Sequence, residues 1–157
     1  MRFTKIMATK KTVKKEEVIE KEAAAKPERY FYAVGKRKTA VAQVRIYPVK
    51  KASEFTVNDK ELDAYFPISR LSETAKAPLA ALGQAENFDV TVKVAGGGVN
   101  AQAEALQLGV ARALVKFDET LKKSLRDREM LTRDSRVVER KKPGKLKARR
   151  SPQWAKR

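Results

Sequence analysis

The side chains of this sequence that could take part in chemistry are mostly cationic. The 157 residues include 36 lysines and arginines against 19 acids, a formal net charge of +17, and they include neither histidine nor cysteine. The chain therefore lacks the usual general base, a thiolate nucleophile and the commonest ligands of transition metals. Lysines and arginines that meet phosphates release condensed counterions, so a large excess of them attracts polyanions. The composition favours nucleic-acid binding over enzymatic chemistry, and it predicts no cofactor, no metal site and no small-molecule substrate.

The strongest of these features is the basic tail, which we define as residues 126–157. It holds 13 basic and four acidic side chains, so more than half of the net charge lies in the last fifth of the chain. Such a run can be a solubilising tail or a nuclear-import signal, but the order-promoting residues spaced along it, among them Val137, Val138 and Leu146, favour contact with a partner. The cations that we predict to bind RNA here are Arg133, Arg136, Arg140, Lys141, Lys142, Lys145, Lys147, Arg149 and Arg150.

The end of the tail has a different character. Trp154 is the only tryptophan of the chain, and an indole in a basic segment suits stacking on a base or a sugar. Fully extended at about 3.3 Å per residue, residues 136–157 would reach about 70 Å. We expect such a segment to be disordered in the free protein and to fold only on contact with RNA.

A second basic motif lies near the start of the predicted domain. Lys36, Arg37 and Lys38 follow Gly35 at the end of a strand pattern. Three consecutive cations at a strand end can be a solvated turn or a phosphate-binding turn, and the spacing leaves both interpretations open. A P-loop is excluded because the second glycine and its lysine are missing at the required spacing.

Gly96, Gly97 and Gly98 separate a strand pattern from a helix pattern. Together with Ala101 they match the dinucleotide-binding fingerprint formally, and Asp118 follows at about the distance expected of the ribose-binding acid. Asp118 nevertheless falls inside the predicted helix rather than after a following strand. The glycines can instead form a tight turn, or they can expose backbone amides at a helix N-terminus that hold an RNA phosphate.

The elements around these motifs predict an α+β fold, with a small four-stranded sheet packed by helices. Residues 88–94 alternate apolar and polar residues cleanly, whereas the alternation within 39–47 looks broken near 43–45. Ser69 is a candidate N-cap, and one buried stripe is expected along the last helix. The predicted strands cover residues 30–34, 39–47, 54–57 and 88–94, and the predicted helices cover 69–82 and about 100–125.

This pattern divides the chain into three parts. Residues 1–29 are rich in Lys, Glu and Ala and are predicted to be a disordered or marginally helical extension. Residues 30–125 form the predicted globular domain, and residues 126–157 form the basic tail. No apolar run approaches the ~20 residues that span a bilayer, so no membrane partner is expected.

Several motifs together resemble the family of small-subunit ribosomal protein nine, and the resemblance covers residues 30–157. It is carried by Gly35-Lys-Arg-Lys-Thr-Ala-Val-Ala42, Gly96-Gly-Gly-Val-Asn-Ala-Gln-Ala103, Gly109-Val-Ala-Arg-Ala-Leu114, Leu131-Thr-Arg-Asp134, Val138-Glu-Arg-Lys-Lys-Pro-Gly144 and Lys147-Ala-Arg-Arg-Ser-Pro-Gln-Trp-Ala-Lys-Arg157.

The resemblance implies a fold like the second domain of ribosomal protein five, with a left-handed βαβ crossover. It implies a cytoplasmic, ribosome-bound protein in the head of the small subunit, in contact with the 3′ major domain of the rRNA and with neighbouring head proteins. Gly35 to Lys38 and the three glycines would face rRNA. The tail would run to the decoding region, where Trp154, Lys156 and Arg157 would meet the peptidyl-site tRNA, stabilise it and help to maintain the reading frame.

Three features depart from the family pattern. Ala101 stands where the family commonly has glycine, Trp154 where it often has phenylalanine, and the extension 1–29 is long for a bacterial member. Two other classes of function are also compatible with the residues alone. One is a free-standing basic RNA-binding regulator or chaperone, and the other is a small nucleotide-dependent enzyme that uses the three glycines.

Overall fold

A computed structural model describes residues 29–49, 54–84 and 87–156 of the chain. The predicted extension, apart from Arg29, and Arg157 therefore lie outside the described residues. Within the described ranges, the strands form one five-stranded mixed sheet, and the fold is α+β. The strands are β1 (Phe31–Arg37), β2 (Ala40–Pro48), β3 (Phe55–Val57), β4 (Lys60–Glu61) and β5 (Phe88–Ala95).

The spatial order of the strands is β1-β2-β5-β3-β4. β2 pairs antiparallel with both β1 and β5, and β3 pairs antiparallel with β4. β3 and β5 are parallel neighbours, so the chain between them makes a crossover. The βαβ unit implied by the resemblance is present, and the left-handedness of its crossover stays a prediction.

The strand predictions need three corrections. β1 does not stop at Gly35 but continues to Arg37, because residues 35–37 pair with residues 40–42 of β2. Gly35 lies on the buried side of the strand, where a side chain has no room. The alternation of β2 is unbroken: Ala42 and Val44 face the core with their even-numbered neighbours, and Val41 faces the other way. The sheet has five strands rather than four, since the two-residue β4 is too short to leave a periodic signal. In β5, by contrast, the predicted burial of the even-numbered residues is confirmed.

Four helices complete the described fold: α1 (Leu62–Tyr65), α2 (Ser69–Ala81), α3 (Val99–Phe117) and α4 (Leu121–Asp127). Ser69 is the first residue of α2 rather than its N-cap, which is Ile68. The single helix predicted over 100–125 is wrong, because the chain becomes extended at Asp118 (φ −143°) and the Asp118 carboxylate accepts hydrogen bonds from the backbone and hydroxyl of Thr120. These bonds lower the pKa of Asp118.

Helix α3 is the centre of the core. It packs against β1 and β2 on one side and against α2 on another, so its buried surface is wider than the single stripe predicted. At its closest point the helix meets Gly35, where an added Cβ would overlap the carbonyl group of Ala105. Gly109 lies opposite, and a Cβ there would lie 2.6 Å from the side chain of Val44. Backbone-to-backbone packing at this point fixes how α3 lies on the sheet.

The outer edge of β1 is covered by two long side chains of α3. The Arg112 guanidinium donates a hydrogen bond to the carbonyl of Val34 (2.9 Å), and the Lys116 ammonium donates one to the carbonyl of Tyr32 (2.8 Å).

After α4, Met130 and Leu131 still pack against the core, and the chain then leaves it. Among the described residues, no helix combines the length and apolar character needed to span a bilayer.

Candidate nucleic-acid interface

The β1–β2 hairpin places the three cations Lys36, Arg37 and Lys38 in different environments. Lys36 is exposed on the side of the sheet away from α3, and Lys38 is exposed in the turn with a positive φ of 52°. Arg37 follows the alternation of β1 and turns inward, where the residue is only 9% exposed. The structure therefore leaves two of these cations open to solvent and gives the third a partly buried environment.

Two of the three glycines, Gly96 and Gly97, lie against the turn of this hairpin. Gly96 and Gly97 have positive φ values of 72° and 68°, which favour glycine. A Cβ on Gly96 would lie 2.7 Å from the carbonyl oxygen of Thr39, and one on Gly97 would lie 2.8 Å from Cβ of Ala40. The two motifs predicted to face RNA are thus neighbours at one end of the sheet, which we call the hairpin edge (residues 36–40 and 95–100).

The glycine loop also begins helix α3. Gly98 is the N-cap with an extended backbone (φ −99°), and residues 95–100 are all exposed. The Gln102 side chain donates a hydrogen bond to the carbonyl of Gly96 (3.1 Å), which ties the loop to the first helical turn. Backbone amides at an exposed helix N-terminus can hold a phosphate. Ala101, where the family commonly has glycine, is buried at 7% exposure.

A third turn extends the same end of the sheet, and sequence reasoning gave it no functional role. Asn58 joins β3 to β4 with a positive φ of 47°. Its side chain brackets Val94: the Val94 amide donates to Oδ1 (2.8 Å), and Nδ2 donates to the Val94 carbonyl (3.0 Å). This amide fixes the turn beside the last residues of β5, directly before the glycine loop.

Arg37 links the hairpin edge to the start of the basic tail. Its guanidinium contacts the Glu104 carboxylate of α3 (2.5 Å) and the Asp134 carboxylate of the tail (2.9 Å). It also donates to the carbonyl of Arg136 (2.7 Å). We call these four residues the Arg37 clamp. Sequence reasoning missed Glu104 and Asp134 because they lie 67 and 97 residues away from Arg37; the only local signal was the odd-numbered burial of β1.

Within the clamp, Asp134 is held ionised by its neighbours. The Arg136 guanidinium donates to both carboxylate oxygens (2.8 to 3.1 Å), and the Arg136 amide donates to Oδ1 (2.8 Å). These hydrogen bonds, together with the charges of Arg136 and Arg37, hold the pKa of Asp134 well below its usual range. The predicted RNA contact Arg136 therefore has a carboxylate partner within the chain, although its side chain is 87% exposed.

A cleft of about 340 Å³ shows that the two basic regions adjoin. Lys36 of the hairpin and Arg133 of the tail line the same opening, with Arg37 and Asp134 between them. Both flanking cations are exposed. The hairpin edge and the first residues of the tail thus adjoin, and the acids Glu104, Glu129 and Asp134 line the cleft beside these cations.

Farther along the tail, the Glu139 carboxylate forms ion pairs with two cations. Its carboxylate accepts hydrogen bonds from Lys142 (2.8 Å) and from Arg149 (2.9 Å), and both lower its pKa. The Lys145 ammonium contacts the hydroxyl of Ser151 (2.6 Å). These contacts bring the two ends of the segment 139–151 together.

The remaining predicted contacts of the tail point outward. Arg140, Lys141, Lys147 and Arg150 are exposed, and they have no carboxylate partner among the described residues. Trp154 is 80% exposed, as are Val137 and Val138 at 74% and 84%. Lys156 is exposed as well, whereas Arg157 lies outside the described residues. An indole and aliphatic groups this open to solvent suit a surface that is completed by a partner.

The dinucleotide-binding interpretation does not fit this geometry. Asp118, the acid at the required spacing, lies at the opposite end of α3 from the glycines, and its carboxylate is bonded to Thr120. The glycine loop also packs against the β1–β2 hairpin rather than opening onto a cleft between parallel strands.

The family described as ribosomal protein S9/S16 matches residues 35–157, which include the hairpin edge and the whole basic tail. The chain belongs to this family. Two curated S9 relatives are both named small ribosomal subunit protein uS9. The protein of Azobacteroides pseudotrichonymphae genomovar. CFP2 is 47% identical over 125 residues, which cover 80% of this chain and 96% of that protein. The protein of Porphyromonas gingivalis is 44% identical over 128 residues, which cover 82% and 98%.

Membership in the S9 family confirms the resemblance seen in the motifs. It identifies the chain as a structural, RNA-binding ribosomal protein of the small subunit and not as an enzyme. Small-subunit rRNA and ribosomal neighbours are the partners that membership implies.

Proposed function

We propose that this chain holds rRNA in the head of the small subunit through its hairpin edge and basic tail, and that the end of the tail reaches the peptidyl-site tRNA. In this proposal the protein works ribosome-bound in the cytoplasm, beside neighbouring head proteins. It neutralises phosphates of the 3′ major domain and reads few base edges.

The Arg37 clamp is the observation that carries the proposal. Lys36 and Lys38 on one side and Arg133 on the other are exposed, while the arginine between them is turned inward and bonded to Glu104 and Asp134. Arg37 therefore acts by positioning the tail rather than by touching a phosphate itself. The clamp sets the direction in which the tail leaves the domain and brings two segments that are distant in sequence side by side.

The glycine loop contributes backbone rather than charge. Gly96, Gly97 and Gly98 are exposed beside the two hairpin lysines and begin helix α3, so an RNA phosphate can approach the helix amides closely. In the tail, Arg136, Lys142 and Arg149 already hold carboxylates in the free chain. The contacts that we assign first to rRNA are therefore the unpaired cations Arg140, Lys141, Lys147 and Arg150, with Lys145, Arg136, Lys142 and Arg149 joining them when phosphates replace their present partners.

The rRNA part of the proposal is tested by neutralising Arg140, Lys141 and Lys142 together with glutamine. Losing three phosphate contacts should impair incorporation into the small subunit, measured by reconstitution and sedimentation. A matched control neutralises Arg70 of α2 together with Lys122 and Lys123 of α4, which are also exposed and lie outside the hairpin edge and the basic tail. Equal incorporation of the two triple variants would contradict the placement of the rRNA contact.

The tRNA part is tested by deleting Lys156 and Arg157. We expect assembly to be unaffected and peptidyl-site tRNA binding to weaken, because two cations at the end of the tail are removed while the rRNA contacts stay. Filter binding of tRNA to programmed small subunits measures the change, and binding to the aminoacyl site serves as the control. Unchanged peptidyl-site affinity would refute this contact.

The alternative is a free-standing RNA-binding regulator or chaperone, which the high net charge alone would allow. Sedimentation of tagged protein from cell extract at high salt separates the two. Stoichiometric migration with the small subunit supports the ribosomal function. Recovery in the top fractions at moderate salt would favour the regulator.

A further inference from the structure

The sheet has a second face, turned away from α3, of which the proposed phosphate contacts use only Lys36. It carries the even-numbered side chains of β1 and the odd-numbered side chains of β2 and β5, all exposed or half-buried. Cross-strand pairing places Tyr32 beside Arg45 and Arg45 beside Thr91. We call this the open face; its members are Tyr30, Tyr32, Val34, Lys36, Val41, Gln43, Arg45, Tyr47, Asp89, Thr91 and Lys93.

Three tyrosines give the open face its aromatic character. Tyr30 and Tyr32 are 49% and 39% exposed. The rings of Tyr30 and Tyr47 lie 5.8 Å apart at a tilt of 48°, and the Arg45 guanidinium lies over the Tyr30 ring, 5.3 Å from its centroid. These contacts hold Tyr30, Arg45 and Tyr47 as a preformed group, beside which the Tyr32 ring has an accessible surface.

The charge of the open face complements a polyanion. Lys36, Arg45 and Lys93 are exposed, and Asp89 is the one acid among the members named above. Lys36 also belongs to the hairpin edge, so the open face continues the proposed phosphate-binding surface. Apart from Ala95 at the end of β5, its aliphatic side chains are Val34 and Val41, which are half-buried. A face with aromatic rings, cations and little aliphatic area fits the planes and phosphates of nucleotides better than the apolar core of a protein interface.

From this combination we infer that the open face binds a single-stranded segment of rRNA, with a base stacked on Tyr32 and phosphates held by Lys36, Arg45 and Lys93. A flat sheet that presents aromatic side chains is one of the surfaces on which unpaired bases stack. The inference goes beyond the proposed function, since it adds stacking on the sheet to phosphate neutralisation by the edge and tail.

The first test separates stacking from charge by salt dependence. The full chain is titrated with a 12-nucleotide unstructured RNA at several salt concentrations, and variants are compared with the original protein. Tyr32→Ala should lose affinity about fivefold or more. The factor should be the same at every salt concentration, because stacking releases no counterions. Lys93→Gln should instead lower the slope of log affinity against log salt by about 0.7.

Two controls match the tyrosine variant. Tyr32→Phe keeps the ring and should bind as the original protein does. Ile68→Ala removes another exposed apolar side chain, at the start of α2 and outside the open face, and should also have no effect. If Tyr32→Ala binds as tightly as Ile68→Ala, the stacking surface is refuted.

The second test places the contact in the ribosome. A photoreactive benzophenone amino acid at position 32 is incorporated in cells, and assembled small subunits are irradiated. A crosslink to rRNA supports the inference, whereas a crosslink to a ribosomal protein or to nothing overturns it. The tail variants of the preceding section, measured in the same titration, keep the two proposals distinguishable because they change the salt slope and leave the Tyr32 effect in place.

Discussion

In the domain, α3 touches β1 through Gly35 and Gly109 and is surrounded by fully buried alanines and leucines. In the tail beyond Leu131, almost every side chain is exposed, and the contacts are ion pairs around Asp134 and Glu139. Buried contacts stabilise the domain, whereas ion pairs are the main contacts within the tail. A buried contact can be satisfied only within the chain, whereas phosphates of RNA can take over the cations of an exposed ion pair. The domain is thus built on contacts that only this chain can make, and the exposed part of the tail is built on contacts that phosphates could replace.

The largest expected effect is a loss of stability of the domain, caused by a substitution at the contact between α3 and β1. Gly35→Ala places a Cβ on the carbonyl group of Ala105, and because both partners are backbone the helix must move. We expect the free energy of unfolding to fall by about 3 kcal/mol, measured by urea denaturation followed by circular dichroism. Gly98→Ser is the matched control, since a Cβ at Gly98 meets nothing within 4 Å and serine is a good N-cap. Similar midpoints for the two variants would show that α3 does not depend on this close approach.

The next prediction breaks the connection between the two regions. Arg37→Met keeps an apolar side chain of similar length but frees Asp134 and the Arg136 carbonyl, so the tail loses its fixed direction while the domain stays folded. Because RNA must then fix a tail that the clamp no longer holds, the variant should bind rRNA roughly 2- to 12-fold more weakly than the original chain. The affinity is measured with a head-domain rRNA fragment. Arg112→Met controls for the loss of an arginine that donates to a β1 carbonyl without contacting the tail. Equal affinity for both variants would mean that the clamp does not position the tail.

The smallest expected effect is the pH dependence of the Asp134 ion pair in the tail. The pKa of Asp134 is lowered in the folded chain, so the ion pair contributes fully above the ordinary value of 3.8 and is lost only as the pH falls through the lower folded value. We expect the amide signals of residues 134–136 to stay unchanged by NMR between pH 7 and about pH 4.5. Arg136→Gln removes the main cause of the shift and should raise the Asp134 pKa toward its ordinary value. Release of the clamp near pH 5 in the original chain would contradict this assignment.

The sequence carried the local pattern of the fold but not its long-range pairing. The alternation of β5 and the turn at the three glycines were predicted from neighbouring residues, and the family was identified from its motifs. Arg37 was predicted to face RNA because it stands between two lysines, and its partners Glu104 and Asp134 could not be inferred from any spacing. Gly35 was interpreted as a strand end since glycine weakens strands, but here a strand needs glycine to admit a helix.

Similar reasons explain the other differences. Nothing in the apolar period marks Asp118 as a break, because the hydrogen bonds to Thr120 that end α3 are made by polar side chains. The two-residue β4 pairs with β3, which itself lies beside the distant β5, so its position in the sheet depends on pairing that local sequence does not show. For the tail, the cations can be read from the sequence, but the carboxylates that pair with several of them can be identified only from the structure.

The hydrogen bonds of Arg112 and Lys116 to the outer carbonyls of β1 have a further consequence for the protein before it meets RNA. An unpaired strand edge is a template on which a second chain can add, and a newly made ribosomal protein must wait in solution for its subunit. One edge of the described sheet is the two-residue β4, too short to serve as such a template. At the other edge, the two cations occupy the carbonyls of Tyr32 and Val34 that an incoming strand would need. The same helix that builds the core thereby blocks two positions at which a second chain could add to the sheet.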